Sequence, residues 1–223
     1  MQMIHGLLET LHRRHPGLGR AHMEALTTAA RDLLDDNRAL LTLQPGERVE
    51  DFTLAHADGQ MIGLAQLRRA GPVVLTFFRG GWCGHCSAYL AALQRTLGDL
   101  AECGASIVAV SPQTLAWSRE TAERLGLDYY VLSDPDNKVS RAFGLVYRLP
   151  EAFREAYELL AIDLPDRNGN HSFELPIPAT FVIAPDGRVT FASADADYTR
   201  RPAPIDVLEE VRRITSEPAA VRS

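Results

Sequence analysis

The stretch Val73-Val74-Leu75-Thr76-Phe77-Phe78-Arg79-Gly80-Gly81-Trp82-Cys83-Gly84-His85-Cys86 decides how this chain folds. Residues 73–78 form an apolar, β-branched and aromatic run that reads as a buried strand. Beyond the second cysteine, Ser87-Ala88-Tyr89-Leu90-Ala91-Ala92-Leu93 reads as a helix. A Cys-x-x-Cys at such a strand-to-helix junction puts its first sulfur among unpaired backbone N–H groups. There the helix dipole favours thiolate over thiol, and the thiolate is the nucleophile of disulfide and peroxide chemistry. Cys83 and Cys86 are therefore the candidate catalytic pair of a dithiol/disulfide cycle. Structural zinc would need four ligands, and the chain has no second Cys-x-x-Cys or close Cys/His pair. Haem attachment would need histidine at position 87, which is Ser87. No metal and no cofactor are expected. The third cysteine, Cys103, reads as a packed small hydrophobe.

Working outward, 223 residues with 46% apolar content and a net charge of −6 suit one ordinary domain with additions. No apolar run approaches the roughly 20 residues that span a bilayer, so no membrane association is expected. The start, Met1-Gln2-Met3-Ile4-His5-Gly6, lacks a basic region followed by a long apolar stretch. This favours the cytoplasm, where a spaced cysteine pair is more often catalytic than a structural staple. The acidic balance argues against nucleic acid as a partner. The short cluster His12-Arg13-Arg14-His15 reads as a solvated helix end.

Residues 1–44 read as a helical extension, with stripes at Leu7, Leu8, Leu11 and at Leu26, Ala30, Leu33, Leu34, and with Leu40 and Leu41 further on. Pro45-Gly46 closes this section, which serves either as a strut on the domain or as a homodimerisation arm. Residues 45–215 form the redox domain and 216–223 a flexible tail. Hairpins are expected around Ala57-Asp58-Gly59 and Pro185-Asp186-Gly187. A helix should run from the cysteine pair to about Cys103-Gly104, followed by a strand at Ser106–Val110. Thr114–Leu125 reads as a helix stopped by Gly126, and Tyr129–Leu132 as a strand. A short helix to Phe143, a helical stretch at Pro150–Ile162, a loop at Asp166–Asn170 and a closing helix at Ile205–Ile214 complete the pattern. Alternating strands and helices predict an α/β, thioredoxin-like fold: a central mixed sheet flanked by helices.

Several blocks carry a family resemblance: Phe77-Phe78-Arg79-Gly80-Gly81-Trp82-Cys83, Val110-Ser111-Pro112, Leu132-Ser133-Asp134-Pro135-Asp136, and Pro178-Ala179-Thr180-Phe181-Val182-Ile183. From about Gly46 to Ile214 the chain resembles the peroxiredoxin-like branch of the alkyl hydroperoxide reductase/thiol-specific antioxidant family. That resemblance implies a thiol-dependent peroxidase that reduces hydrogen peroxide or organic hydroperoxides, recycled by thioredoxin, glutathione or a similar thiol reductant. The family places a proline seven and a threonine three residues before its peroxide-attacking cysteine, and an arginine on a late strand. On this count the attacking cysteine falls on Cys86, the threonine position on Cys83, the proline position on Arg79 and the arginine position on Pro178.

The replacements resemble thioredoxin instead. Trp82-Cys83-Gly84-His85-Cys86 matches the active-site segment of protein disulfide isomerases, and Pro178 occupies the place of the thioredoxin-like cis-proline, so Ile177-Pro178 is expected to be cis. The buried proton-shuttling aspartate of thioredoxin would fall at Phe77 and is absent. The supporting candidates are Trp82 as a cover for the disulfide, His85 and Arg79 as aids to a thiolate, and Pro178 and Thr180 on the late strand. Arg200 and Arg201 are candidates to supply the guanidinium missing at position 178. Three functions follow: a peroxidase, a protein disulfide reductase with protein disulfides as substrate, and a redox-gated binding module.

Overall fold

The computed structural model describes residues 2–35 and 42–216. Two helices, α1 (Gln2–Arg14) and α2 (Arg20–Asp35), precede the hairpin β1 (Thr53–His56) and β2 (Met61–Gly63). Then come α3 (Leu64–Ala70), β3 (Val73–Phe77), α4 (Gly84–Gln94), α5 (Leu97–Glu102), β4 (Ser106–Ser111), α6 (Leu115–Leu125) and β5 (Tyr130–Ser133). The second half holds α7 (Lys138–Ala142), β6 (Val146–Arg148), α8 (Glu151–Leu159), α9 (Leu164–Asn168), β7 (Glu174–Pro176), β8 (Ala179–Ile183), β9 (Val189–Ala194) and α10 (Pro204–Ser216).

Seven strands form one mixed sheet in the order β2-β1-β5-β4-β3-β8-β9, and β6 and β7 form a separate antiparallel pair. β3, β4 and β5 are parallel; β1, β8 and β9 run antiparallel to their neighbours. β3 is buried at every position because it pairs on both sides and is covered on both faces. Alternate residues along it serve two cores. Val73, Leu75 and Phe77 join the larger cluster, where Phe77, Phe143 and Phe181 pack with centroids 4.8–6.1 Å apart. Val74 and Phe78 join the second, which contains both Cys83 and Cys86 together with Leu90, Leu93 and Val211.

The N-terminal helices belong to the larger core. Ile4, Leu7, Leu11, Leu26 and Ala30 are buried in it, and each fully buried leucine contributes about 1.5–3 kcal/mol. Two polar ties fix the helices to α8: His15 Nε2 donates to the Leu159 carbonyl at 2.8 Å, and His22 lies 3.5 Å from Glu155. Of the remaining stripe residues, Leu8, Leu33 and Leu34 pack against this core while staying partly buried. Leu40 and Leu41, and residues 217–223 of the expected tail, lie outside the described residues; Ser216 ends α10.

Several local expectations change. The helix after the cysteines breaks at Arg95-Thr96, where the Thr96 hydroxyl bonds back to the Leu93 carbonyl at 2.8 Å and competes with the helical ladder. Asp166–Asn170 is not all loop: Asp163 caps α9 through the Asp166 N–H, Pro165 follows in the first turn, and Gly169 ends it at φ 70°. Ile177-Pro178 is trans. The trans form is intrinsically favoured by about 0.5–1 kcal/mol, and the Ile177 N–H bonds the Leu145 carbonyl at 2.7 Å as the chain passes from β7 to β8. Asp134, from the Ser-Asp-Pro-Asp block, is buried and accepts bonds from the N–H groups of Val139 and Ser140 and from the Ser140 hydroxyl, starting α7.

Phe77→Ala should destabilise the protein by about 3–5 kcal/mol, since it empties the centre of the three-ring cluster. Urea unfolding checks this; a loss below 1 kcal/mol would mean that the rings do not carry the core.

Candidate active site

Phe78 and Arg79 leave the end of β3, and a tight loop brings the chain round to α4. Gly80 sits at φ 148°, where any Cβ would run into the Trp82 indole, so only glycine fits. The loop is pinned at Gly81: its N–H donates to Gln113 Oε1 at 2.7 Å, and its carbonyl accepts from Arg124 at 2.8 Å and Ser87 at 2.9 Å. Cys83 then occupies the N-cap position of α4, and Cys86 lies in the first turn.

Both sulfurs are reduced and nearly enclosed, with Cys83 4% and Cys86 1% exposed. Arg79 is 3% exposed, yet it carries a full charge into this interior. Its Nη2 donates to Cys83 Sγ at 3.0 Å and its Nη1 to the Tyr157 hydroxyl at 2.8 Å. The guanidinium lies 3.5 Å from the Tyr198 ring centroid and 5.1 Å from that of Trp82, so aromatic faces replace much of its hydration. Tyr157 packs edge-on against Trp82 with centroids 5.2 Å apart.

This environment separates the two thiols. The Cys83 thiol is held well below the ordinary value, first by the hydrogen bond from the Cys86 thiol and then, against the cost of burial, by the charge and hydrogen bond of Arg79. Cys86 is pushed well up by burial, then by its hydrogen bond to Cys83 and the Cys83 charge; Arg79 and Arg201 oppose the rise. Burial, the largest influence, lowers the Arg79 value, but the electrostatic interactions with Cys83, Tyr157, Tyr147 and Cys86 together outweigh it and raise the guanidinium further. Of the pair, Cys83 is the sulfur that ionises more readily and Cys86 the one that keeps its proton longer. In the reduced protein the Cys83 contribution to stability is present above the ordinary thiol value of about 8.5 and is lost as pH falls through the lower native value. The Cys86 contribution has the opposite sign, present below the ordinary value and lost as pH rises through the raised one.

The sequence-derived candidates separate clearly. Arg79 touches Cys83. Arg201 Nη2 lies 3.4 Å from Cys86 Sγ, held by bonds from Nη1 to the carbonyls of Tyr198 and Arg200. Arg200 points elsewhere, towards Asp195 at 3.8 Å and Asp197 at 3.9 Å. Trp82 covers Arg79 on one side, and His85 stands exposed on the rim with its ring 5.9 Å from that of Tyr198. Pro178 is buried at the start of β8. Thr180 is a link between strand and helix: its hydroxyl donates to Tyr89 at 3.2 Å and meets Thr76 at 3.1 Å. Burial then raises the Tyr89 value to about 12. Sequence reading missed Tyr157, Tyr198 and Gln113, which sit in ordinary-looking core or loop segments far along the chain from position 79.

A cysteine held below the ordinary thiol value at a helix N-terminus, with a buried second cysteine in the first turn, on a seven-stranded thioredoxin-like sheet, defines a thiol redox protein. Residues 45–192 match the AhpC/TSA family, and the chain belongs to that family. A putative peroxiredoxin of Mycobacterium tuberculosis is 26% identical over 157 residues, covering 70% of this chain and 88% of that protein. The crystal structure of peroxidoxin BcpB from the same organism superposes with a TM-score of 0.61 at 25% identity, covering 77% of this chain and 98% of that one. The fold also matches the solution structure of a putative protein disulfide isomerase from Bacteroides thetaiotaomicron, with a TM-score of 0.56 at 15% identity, covering 81% of this chain and 95% of that one.

Arg79→Met should return Cys83 to the ordinary thiol range or above. At a pKa of about 8.5 only about 3% is thiolate at pH 7, so iodoacetamide alkylation of Cys83 should slow on the order of 10- to 30-fold. Arg79→Lys, which keeps the charge, should recover part of the rate; an unchanged alkylation rate in Arg79→Met would contradict the assignment.

Proposed function

We propose that Cys83 makes the first attack in a thiol-dependent peroxidase cycle and that Cys86 resolves it. The protein is an oxidoreductase of the peroxiredoxin class, as its family and relatives establish. The observation that supports the order of attack is the Arg79–Cys83 contact at 3.0 Å, on the sulfur that faces the cleft. The Cys83 thiolate attacks the terminal oxygen of the hydroperoxide, and the O–O bond breaks. The alcohol or water departs after taking a proton from solvent, and Cys83 becomes a sulfenic acid. That step removes the Cys83 charge and its demand for the Cys86 proton, two of the three causes that keep Cys86 protonated. With Arg201 beside it, Cys86 then ionises and attacks the Cys83 sulfur; hydroxide leaves and takes up a proton, and the disulfide forms. Resolution is thereby timed to follow oxidation. Two external thiol equivalents return the pair to the reduced state, a step that fits the reducing conditions of the cytoplasm.

This order differs from the count along the family pattern, which put the attacking sulfur at position 86. On that count Arg79 stands at the family's proline position and touches the cysteine at its threonine position, which supports Cys83 as the attacking sulfur.

A second reading, disulfide reduction, is favoured by the same polarity of the pair within Trp-Cys-Gly-His-Cys. Stopped-flow reaction with hydrogen peroxide, with insulin reduction run in parallel, separates the two. In Cys86→Ser the serine hydroxyl still donates to Cys83, so a sulfenic acid should form rapidly and be trapped by dimedone. Cys83→Ser should react at least about 100-fold more slowly, its remaining thiol being protonated. A Cys83→Ser variant as fast as wild type would transfer the first attack to Cys86. Reaction of the wild type no faster than a free thiol of similar pKa, with insulin turned over, would establish the reductase.

A further inference from the structure

We infer that α1 restricts the cysteine pair to small reaction partners, so that the Cys83–Cys86 disulfide is recycled by a low-molecular-weight thiol and not by a reductant protein. The inference rests on the proposed disulfide cycle and concerns its second half. Cys83 lies in a cleft of about 230 Å³. It is lined by Gly6, Leu7 and Thr10 of α1 together with Tyr157, Leu160 and Ile162. Both sets of residues are held in place. Leu7 and Leu11 are buried in the core, and the His15–Leu159 bond ties the end of α1 to the end of α8. The family match begins at residue 45, so the α1 part of this lining comes from outside the matched region.

Thiol–disulfide exchange requires the incoming sulfur to reach bonding distance, about 2.05 Å, of the sulfur it attacks. A reductant protein carries its cysteine on a broad face, and a standard interface covers about 800 Å² of each partner. Gly6, Leu7 and Thr10 of α1 line the same cleft as Cys83, so a protein face brought to that sulfur has to contend with the helix. The cleft is smaller than the roughly 300–1,000 Å³ of sites for drug-sized ligands, but it admits the end of a slim thiol or hydroperoxide. A small thiolate enters and attacks Cys83; the S–S bond breaks, and Cys86 leaves as thiolate and takes up a proton. A second small thiolate attacks the sulfur of the first. It releases a small-molecule disulfide and the Cys83 thiolate, so two thiols supply the two electrons.

The test starts from full-length protein oxidised with diamide, so the outcome does not depend on peroxide turnover. Re-reduction is followed with 2-mercaptoethanol or glutathione and, separately, with reduced thioredoxin. The wild type should be reduced by the small thiols at least as fast, per thiol, as by thioredoxin. Leu11→Asp places a charge in the core under α1 and should dislodge the helix. His15→Ala removes only its tether and keeps the test valid if Leu11→Asp does not fold. Either variant should raise the thioredoxin rate about tenfold or more while changing the small-thiol rate less than about threefold. Thr10→Trp, which fills the cleft, should slow the small thiols about tenfold. Thioredoxin outpacing small thiols on the wild type, or a thioredoxin rate unmoved in the folded variants, overturns the inference. So does an unchanged small-thiol rate in Thr10→Trp.

Discussion

A guanidinium in the interior of a protein is tolerated only if something replaces its water, and the Arg79–Cys83 contact is the interaction on which the rest of this site depends. Arg79 is almost wholly enclosed, with the Cys83 sulfur at 3.0 Å, the Tyr157 hydroxyl at 2.8 Å and the Tyr198 face at 3.5 Å. Breaking a buried pair by removing one partner commonly costs about 3–5 kcal/mol, because the other charge is left uncompensated. The thiolate is therefore part of the packing as well as of the chemistry. The same surroundings separate the two cysteines: burial, then the hydrogen bond to Cys83 and the Cys83 charge, raise Cys86, while the hydrogen bond from Cys86 and then Arg79 lower Cys83.

The groups that build this interaction come from distant parts of the chain. β3 delivers Arg79, the start of α4 delivers both sulfurs, α8 delivers Tyr157, and the segment after β9 delivers Tyr198 and Arg201. The N-terminal helices complete it by packing on α8 and walling the cleft. The AhpC/TSA family scaffold accounts for the sheet and for the position of the cysteine helix. Arg79 lies inside the matched residues 45–192, whereas the α1 residues that line the cleft lie outside them.

Much of the scaffold was legible in the sequence because its signals are local. A run such as Val73–Phe78 can only be a covered strand, Thr114 and Gly126 bracket α6 with the residues caps require, and both Asp-Gly hairpins form as their turns demand. The strands β6 and β7 are too short for any period to show, and they pair with each other apart from the main sheet. The α4–α5 break depends on one threonine hydroxyl choosing its own backbone. At the site, Cys83, Cys86 and the placement of Arg79 just past the strand were visible. Tyr157 and the choice of Arg201 over Arg200 were not, because neighbouring residues in sequence look equivalent until the fold aims one at a sulfur and the other at Asp195 and Asp197.

The most direct test of the central pair is a pH titration of the reduced wild-type protein labelled with ¹³C at the cysteine β-carbons, with each resonance assigned through Cys83→Ser and Cys86→Ser. The Cys83 resonance should titrate with a midpoint well below the ordinary thiol value of about 8.5, while Cys86 remains a thiol beyond it. A Cys83 midpoint at or above that value, or Cys86 ionising first, would contradict the Arg79–Cys83 pair as the organising interaction.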